Sequence, residues 1–215
     1  MTTDRAALAR LGRAVSSALP GIKGRLPKPI KRWLLLHVLG VNRDYESFSQ
    51  LASRRFLEHE VLPWLRDTCP RILFVGTAPY TFHYEKLFAR DVDQYTTIDS
   101  DPAVAVWGAR HHIVAPLQEI GRHRPAASFD AAVLNGVFGF GVDGQPAMRE
   151  AAQALHGVLC PGGRLILGWN SDLHADPAML GVLDELFAPD PGSPWGFRRT
   201  FPGEFHVNDC YVTRS

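Results

Sequence analysis

Hydrophobic residues recur with two different spacings along the chain, and the spacing changes near residue 71. Before that point, apolar residues recur every three or four positions, which is typical of amphipathic helices. After it, short apolar runs alternate with helical patterns, which is typical of a parallel sheet with helices on both faces. The pattern therefore predicts an α/β protein that begins with helices.

Three helices are predicted in the first 66 residues. Thr3 can cap the first, Pro29 suits the first turn of the second, and Asp44 can cap the third. Pro63 should kink or end the third helix, because proline has no backbone N–H to donate inside a helix. The predicted ranges are 3–19, 29–39 and 44–61.

Five buried strands are predicted after these helices, at 72–75, 95–98, 112–114, 131–134 and 164–167. Further helices are predicted at 80–89, 102–109, 117–121, 145–159 and 177–187. The tail alternates between apolar and polar residues over 196–201 and 205–213, which predicts an antiparallel hairpin. The expected fold class is α/β, with a doubly wound, mostly parallel seven-stranded sheet that ends in a C-terminal antiparallel hairpin.

Composition limits the kind of protein this can be. The chain has 215 residues, of which 46% are hydrophobic and 21% charged, which fits one globular domain and excludes a disordered or collagen-like chain. It has neither the ~18 to 20 apolar residues of a membrane-spanning helix nor a secretion signal, so we expect a cytoplasmic protein without stable membrane insertion. Three distant cysteines, Cys69, Cys160 and Cys210, are expected to be reduced and structural.

Charge is distributed unevenly, although the formal net charge is only +1. Residues 1–45 carry nine Lys or Arg and two Asp, a net charge of +7, and the rest of the chain is acidic. Such a basic arm could contact nucleic acid, an anionic membrane or the acidic body of its own chain. The last is preferred, and we expect no nucleic-acid partner, because no known nucleic-acid-binding pattern follows the arm.

Candidate ligand-binding residues follow the predicted strands, because open parallel sheets bind ligands at the carboxyl ends of their strands. The first such segment is Gly76-Thr77-Ala78-Pro79-Tyr80, where a glycine allows a sharp turn and a close approach to a ligand. Asp99 ends the second strand, and its carboxylate could accept two hydrogen bonds from a ribose diol. The alternative is that Asp99 caps the helix after Pro102; its spacing from Gly76 favours the ribose.

Four segments then resemble, in order and spacing, the motifs of the class I S-adenosylmethionine-dependent methyltransferases. They are Ile-Leu-Phe-Val-Gly at 72–76, Thr-Ile-Asp-Ser-Asp at 97–101, Phe-Asp-Ala-Ala-Val-Leu-Asn-Gly-Val at 129–137 and Leu-Cys-Pro-Gly-Gly-Arg-Leu at 159–165. The resemblance implies a Rossmann-like methyltransferase core over 67–215, preceded by an N-terminal helical lid or arm over 1–66. It also implies S-adenosylmethionine as the cofactor.

The resemblance further implies where this cofactor binds. Gly76, Thr77 and Ala78 would approach its methionine part, and Asp99 would hold the ribose hydroxyls. The remaining implied contacts are Ser100, Ala115, Pro116 and Leu117 around the adenine, and Asn135 with Gly136 beneath the sulfonium. The first motif departs from the family's usual acidic-x-Gly-x-Gly-x-Gly, since Phe74, Ala78 and Tyr80 replace the acid and two glycines.

Catalytic candidates are Tyr80 and His83, which follow the cofactor loop. A histidine there could accept a proton near neutral pH, and the alternative is that His83 is an ordinary exposed helix residue. Trp169 and Asn170 could line the acceptor pocket, and Trp33 or Tyr45 could close it.

A metal site is not expected. Asp172, His174 and Asp176 have suitable side chains for one, but capping of the next helix by Asp176 explains these residues better.

The predicted function is methylation of an oxygen or nitrogen atom of a small organic molecule. A small acceptor is favoured because the core carries no added recognition domain and no Asn/Asp-Pro-Pro-Tyr motif after Leu134. Two alternatives share the fold: an enzyme that catalyses a different reaction, such as a cyclisation, and a non-catalytic binding protein. The sequence leaves open whether the protein acts as a monomer or a homodimer.

Overall fold

The structure, a computed structural model, describes residues 27–37, 40, 49–139, 141–173 and 175–214. The first predicted helix, the predicted cap Asp44, Tyr45 and His174 lie outside the described residues. Within the described part, no helix is long and apolar enough to cross a membrane.

One sheet of eight strands forms the centre of the fold. Its parallel part contains β1 (Ile72–Val75), β2 (Tyr95–Asp99), β3 (His111–Val114), β4 (Phe129–Asn135) and β5 (Leu159–Asn170). Their spatial order is β3-β2-β1-β4-β5, so the winding direction reverses between β1 and β4. That reversal leaves a crevice at the carboxyl ends of the strands, where ligands bind in folds of this kind.

The C-terminal part of the sheet is antiparallel and has one strand more than predicted. β8 (His206–Thr213) pairs with β5 on one side. On its other side β8 pairs with both β6 (Phe187–Pro189) and β7 (Arg198–Thr200), which occupy different stretches of it. The predicted hairpin is therefore present as β7–β8. The unpredicted β6 is only three residues long, too short to show an alternating pattern of its own.

The connections between the parallel strands are mostly 3-10 segments where α-helices were predicted. These segments are Phe82–Phe88, Pro102–Trp107 and Leu117–Glu119, the last of which continues into a short α-helix, Ile120–His123. Short connections favour the tighter 3-10 form, and the aromatic residues of the first segment are only moderate helix formers. A full α-helix, Gly144–Val158, is found only between β4 and β5 among these connections.

Helices cover both faces of the sheet. On one face, the helices Gly144–Val158 and Val182–Leu186 bury residues such as Leu155 and Leu183 against β4, β5 and β8. The other face is covered by the N-terminal helices described next. Burial of apolar side chains on both faces explains why β1, β2, β4 and the second half of β5 read as almost continuous hydrophobic runs. The expectation of a buried strand is wrong for β3, which lies at the edge of the sheet and is only partly covered, with Val114 45% exposed.

The N-terminal side is helical, as predicted. We call α1 the helix Lys28–His37 and α2 the helix Ala52–Phe56, which continues through a π-helical turn, Leu57–Val61, into α3, Leu62–Thr68. Of the two outcomes expected at Pro63, the helix does not end there, because the chain stays helical to Thr68, and the local distortion takes the form of the π-helical turn that directly precedes the proline. Pro63 lies in the first turn after the π turn, where a missing N–H costs little.

Two sets of polar contacts fix these helices to the core. The carboxylate of Glu204, in the β7–β8 turn, accepts from the N–H groups of Ala52 (2.5 Å) and Ser53 (3.3 Å) and so caps α2. On α1, Arg32 donates to the carbonyls of Val106 (2.7 Å) and Gly108 (2.6 Å). The start of α2 is thereby placed at the end of the sheet where β8 begins, and α1 is fixed against the segment that precedes β3.

A buried carboxylate joins three parts of the antiparallel region. Asp209 of β8 is fully buried and accepts two hydrogen bonds from Arg198 of β7, at 2.6 and 2.8 Å. The indole N–H of Trp169 donates to the same carboxylate at 3.0 Å. Arg198 also pairs with Asp176, whose carboxylate accepts from the N–H of Ala178 (2.9 Å) and caps the next turn as predicted. The three cysteines are free thiols, also as predicted.

We predict that Asp209→Ala lowers the free energy of unfolding by about 3 to 5 kcal/mol, because it leaves Arg198 and the Trp169 N–H without their buried partner. Urea denaturation at pH 7 measures the change. Asp172→Ala, which removes an exposed carboxylate near the same end of the sheet, is the control and should stay within about 0.5 kcal/mol of the natural protein. Equal stability of the two variants would contradict this role for Asp209.

Candidate functional site

The first loop of the site follows β1 and turns sharply at Gly76. Gly76 has φ +86°, a conformation that residues with a side chain rarely adopt, and its N–H donates to the carbonyl of Ile98 at 2.9 Å. The loop is closed by Thr81, whose hydroxyl accepts from the N–H of Ala78 at 2.9 Å. The loop backbone is thus held at the edge of β1 and β2, where the sequence predicted it.

Asp99 lies against this loop. One carboxylate oxygen accepts from the N–H of Thr77 at 2.7 Å, and the other accepts from the N–H of Asp101 at 2.9 Å. The cap of the following 3-10 segment is Asp101, which accepts from the N–H of Ala103 at 2.7 Å. The alternative interpretation of Asp99 as the helix cap is therefore wrong, and its carboxylate instead connects the ends of β1 and β2.

The residues expected near an adenine surround Asp99. The N–H of Ala115 donates to the carbonyl of Asp99 at 3.0 Å, which places the 115–117 segment beside the end of β2. Ala115 and Leu117 are buried, and Ser100 and Pro116 are exposed. The predicted adenine contacts therefore lie on the two segments that follow β2 and β3, next to Asp99.

A histidine between two asparagines occupies the other side of the crevice. The ring of His206, the first residue of β8, lies 3.1 Å from the side-chain oxygen of Asn135 and 2.8 Å from that of Asn170. A Cβ atom at Gly168 would lie only 2.0 Å from the Asn135 oxygen, so the absence of a side chain there gives Asn135 its place. Gly136 (φ +67°) borders open space, and its N–H donates to the Gly168 carbonyl at 2.8 Å.

His206 is neutral at physiological pH. Burial, and after it the positive charge of Arg54, lower the pKa of His206 to about 4, although the carboxylate of Glu204 opposes the shift. A neutral imidazole donates one hydrogen bond and accepts one, so one neighbouring amide must present its NH2 group and the other its oxygen. Asn135, His206 and Asn170 therefore form a directional hydrogen-bonded chain across the ends of β4, β8 and β5.

Tyr80 and His83, the predicted catalytic residues, both face the helix that begins at Ala52. The guanidinium of Arg54 lies over the ring of Tyr80, 4.7 Å from its centre, and Nε2 of His83 lies 3.7 Å from the carboxylate of Glu58. The hydroxyl of Tyr84 connects the two helix residues, because it accepts from Arg54 and donates to Glu58 at 2.9 Å.

Burial is also the largest influence on the pKa of His83, which lies below its usual value. The carboxylate of Glu58 opposes this shift, and the charges of Arg54 and Lys86 add to it. His83 is therefore mainly neutral near pH 7 and able to accept a proton.

Sequence reasoning missed Arg54, Glu58 and His206. Arg54 and Glu58 are spaced four residues apart with opposite charges, a pattern more typical of a solvent-exposed helix face. The segment His206-Val207-Asn208-Asp209 could have indicated His206, because three of its four residues are polar. Polar residues in a strand that is paired on both sides need buried hydrogen-bond partners. The expectation that Trp169 lines an acceptor pocket is wrong, because its indole is buried in the core on the opposite face and bonded to Asp209.

Two further predictions concern Trp33, proposed to close the acceptor pocket, and the absence of a metal site. Trp33 on α1 is 56% exposed. Among the described residues, no three His, Cys, Asp or Glu side chains are grouped in a way that could hold a metal ion.

The fold is similar to that of several solved methyltransferases. N-methyltransferase NodS from Bradyrhizobium japonicum WM9, solved with S-adenosyl-L-homocysteine, is 14% identical; the match covers 97% of this chain and 98% of NodS, with a TM-score of 0.55. The 1,6-didemethyltoxoflavin-N1-methyltransferase of Burkholderia thailandensis is 16% identical over 89% of this chain and 93% of that protein, with a TM-score of 0.52.

A TehB-like S-adenosylmethionine-dependent methyltransferase from Corynebacterium glutamicum is 15% identical over 80% of this chain and 99% of its own, with a TM-score of 0.52. No protein-family model and no curated protein sequence matches the chain. The structural matches confirm the predicted fold class: the chain has the Rossmann-like fold of the class I methyltransferases.

We predict that His206 makes the protein less stable in acid. The native ring stays neutral down to about pH 4, whereas in the unfolded chain it takes up a proton below about pH 6.5, so the unfolding free energy falls by about 3 kcal/mol across this window. His206→Gln removes this component, and urea denaturation at pH 7, 5.5 and 4 should show a shallower loss of stability.

The exposed His123→Gln is the control and should follow the natural protein at every pH. Parallel loss of stability in all three proteins would contradict a buried neutral His206.

Proposed function

We propose that this protein is an S-adenosylmethionine-dependent methyltransferase that methylates an oxygen or nitrogen atom of a small organic molecule. One observation carries the proposal: the Asp99 carboxylate, at the end of β2, is held against the loop that turns at Gly76 after β1. Placed at the reversal of strand order, this pair of elements has the arrangement that binds a nucleoside and its attached group in doubly wound sheets. The methyltransferase fold supports the same conclusion.

The residues present fit this cofactor. Both Asp99 oxygens accept a short backbone hydrogen bond, and the one bonded to the Thr77 N–H also lies 3.4 Å from the Thr77 hydroxyl. An ionised carboxylate has about four acceptor sites, so the oxygen bonded to the Asp101 N–H keeps a lone pair for a ribose hydroxyl. The other oxygen can accept a second ribose hydroxyl when the Thr77 hydroxyl donates to the Val104 carbonyl instead. Space is left on the opposite side of the crevice, where a Cβ atom at Gly136 would meet nothing within 4 Å. Both features are what a bound nucleoside with an extended amino-acid tail would need.

Each predicted cofactor residue keeps its proposed role. Asp99 holds the ribose, the backbone of Gly76, Thr77 and Ala78 borders the methionine part, and Asn135 with Gly136 lies beneath the sulfonium. The adenine would be bordered by Ser100, Ala115, Pro116 and Leu117. When bound, S-adenosylmethionine supplies an electrophilic methyl group, and the chain's task is to align the acceptor and exclude water.

His83 is the proposed general base. Its neutral ring can take the proton from an acceptor hydroxyl or amine, and Glu58, 3.7 Å away, stabilises the imidazolium that results. Tyr80 is proposed to contact the acceptor, because its ring lies between the cofactor loop and Arg54. Transfer of the proton to His83 as the new bond forms would leave the methylated oxygen or nitrogen atom uncharged.

The N-terminal residues 1–66 are proposed to act as the lid of the 67–215 core. α1 is already tied by Arg32 to the carbonyls that follow β2, and α2 presents Arg54 and Glu58 to the crevice. A lid of this kind completes the acceptor site only when it is seated on the core.

A non-catalytic binding protein is the second candidate, favoured by the loop after β1. Ala78 and Tyr80 add side chains where the family usually has glycines, and Arg54 covers the tyrosine ring. Isothermal titration with S-adenosylmethionine distinguishes this candidate from a methyltransferase, because a binding protein that does not bind the cofactor would give no heat of binding. A product heavier by one methyl group separates methyl transfer from a cyclisation on the same fold.

We predict that Asp99→Ala weakens S-adenosylhomocysteine binding about 30- to 1000-fold, because it removes the two charge-assisted hydrogen bonds to the ribose. Isothermal titration calorimetry measures the affinity. Asp101→Ala is the matched control: it removes a neighbouring carboxylate that only caps the next 3-10 segment, so its affinity should stay within about threefold.

Circular dichroism accompanies both titrations, since Asp99 also bonds to the Thr77 N–H. Equal affinity of folded Asp99→Ala and the natural protein would overturn the ribose assignment.

We predict that His83→Gln lowers turnover about 100-fold or more without changing S-adenosylhomocysteine affinity. Because the base must be neutral, the natural rate should fall only below the lowered pKa of His83, under about pH 6.5. Glu58→Gln should move this acid limb to still lower pH, since the Glu58 carboxylate raises the pKa of His83.

Release of S-adenosylhomocysteine with a panel of phenols and amines as acceptors provides the rate. The exposed His59→Gln, on the same helix as Glu58, is the control and should keep the natural rate. A fully active His83→Gln protein with an unchanged pH profile would remove His83 from the reaction.

A further inference from the structure

Arg54 is a partly buried cation that the fold holds in place without neutralising it by direct contact. Its guanidinium is fixed on one side by the hydroxyl of Tyr84 and on its flat face by the ring of Tyr80, 4.7 Å from the ring centre. Among the described residues no carboxylate lies within 4.0 Å of it. The nearest acidic group on its helix, Glu58, accepts from Tyr84 and approaches His83 instead.

Most of the hydrogen-bonding capacity of Arg54 is left over. A guanidinium carries five N–H donors, and within the described residues one Arg54 nitrogen has a protein partner, the Tyr84 oxygen. Among the described residues, its other nitrogens have no hydrogen-bond partner, and none of them is a fully buried unbonded atom. Removing a cation partly from water without a counter-ion costs free energy, which an incoming anion would offset.

The free donors of Arg54 lie on the acceptor side of the crevice. The guanidinium of Arg54 lies over the ring of Tyr80 in the loop after β1. The helix that carries Arg54 packs against β8, and its first N–H groups donate to Glu204, two residues before His206. These contacts place Arg54 on the side of the Asn135–His206–Asn170 chain, at the ends of β4 and β5.

A second polar side chain without a hydrogen-bond partner lies on the face of the sheet that carries His206. Asn208 is two residues after His206 on β8, so its side chain points to the same side of the sheet, and it is 1% exposed. Neither its amide nitrogen nor its oxygen has a hydrogen-bond partner. Its cross-strand neighbours are Gly168 on β5, which has no side chain, and Arg199 on β7. A buried amide without partners calls for an unseen polar group such as a water or a ligand.

We propose that Arg54 is a specificity-determining residue that binds a carboxylate group of the methyl acceptor. The planar fork of an arginine matches the two oxygens of a carboxylate and forms two parallel hydrogen bonds with it. The proposal rests on the methyltransferase function proposed above and narrows it to acceptors with an anionic group. With the carboxylate on Arg54, the nucleophilic atom of the acceptor lies on the side of His83 and Asn135.

Binding of benzoate and of its neutral counterpart benzamide tests this. Ligand-observed NMR titrations on protein saturated with S-adenosylhomocysteine give both affinities while the cofactor's own carboxylate is already placed. The natural protein should prefer benzoate at least tenfold. Arg54→Gln should abolish the preference, and Arg54→Lys should keep part of it, because a lysine retains the charge without the fork.

Arg55→Gln is the matched control. Arg55 is the next residue on α2 and carries the same side chain, but it is exposed, so this variant should keep the full preference for benzoate. Circular dichroism and melting temperature establish that Arg54→Gln and Arg54→Lys are folded. Equal preference in the natural protein and in both folded Arg54 variants would overturn the proposal.

A second pair of titrations identifies the source of the carboxylate. If Arg54→Gln weakens S-adenosylhomocysteine tenfold or more but leaves 5′-methylthioadenosine unchanged, Arg54 holds the carboxylate of the cofactor, and the acceptor assignment is overturned. The two proposals fail separately. If S-adenosylhomocysteine does not bind, the benzoate and benzamide titrations are made on the protein alone, and an Arg54-dependent preference there overturns only the cofactor. Cofactor binding without that preference overturns only the acceptor carboxylate.

Discussion

The position of β8 is the constraint on which the rest of the structure depends. This strand is paired on both edges and covered on both faces, yet it carries His206, Asn208 and Asp209. Buried polar groups must be paired or they cost stability. Asp209 is satisfied by Arg198 and Trp169, which fastens β7 and β5 to β8. His206 is hydrogen-bonded to Asn135 and Asn170, and these three polar side chains line one side of the crevice.

The helix that begins at Ala52 forms the opposite wall. Its apolar face, including Phe56 and Leu62, packs on the sheet, and Glu204 from the β7–β8 turn caps its first turn. With the helix fixed in this way, Arg54 and Glu58 face Tyr80 and His83. The same residues therefore join the N-terminal helices to the core and supply the charges of the proposed acceptor site.

The proposed cofactor side and acceptor side differ in chemistry. On the cofactor side, Asp99 connects backbone groups of two strand ends, and its position follows from the sheet alone. On the acceptor side, the polar groups come from α2, β4, β5 and β8, and the neutral His206 stands opposite the charged Arg54. This contrast explains how a common fold could keep one cofactor site and change its acceptor through the elements around it.

The sequence by itself determined the class of fold, the five parallel strands, the hairpin, and the places of Gly76, Asp99 and Asn135. Apolar runs record burial on both faces, and residues that follow parallel strands must meet at one edge. It did not determine the 3-10 form of the connections, the short β6, the continuation of the helix past Pro63, or the partners of Arg54 and His206. Those depend on which distant elements pack together, since Arg54 meets Tyr80 and His206 meets Asn135 only across the folded sheet. Local pattern records whether a residue is buried, but only tertiary packing decides what it touches.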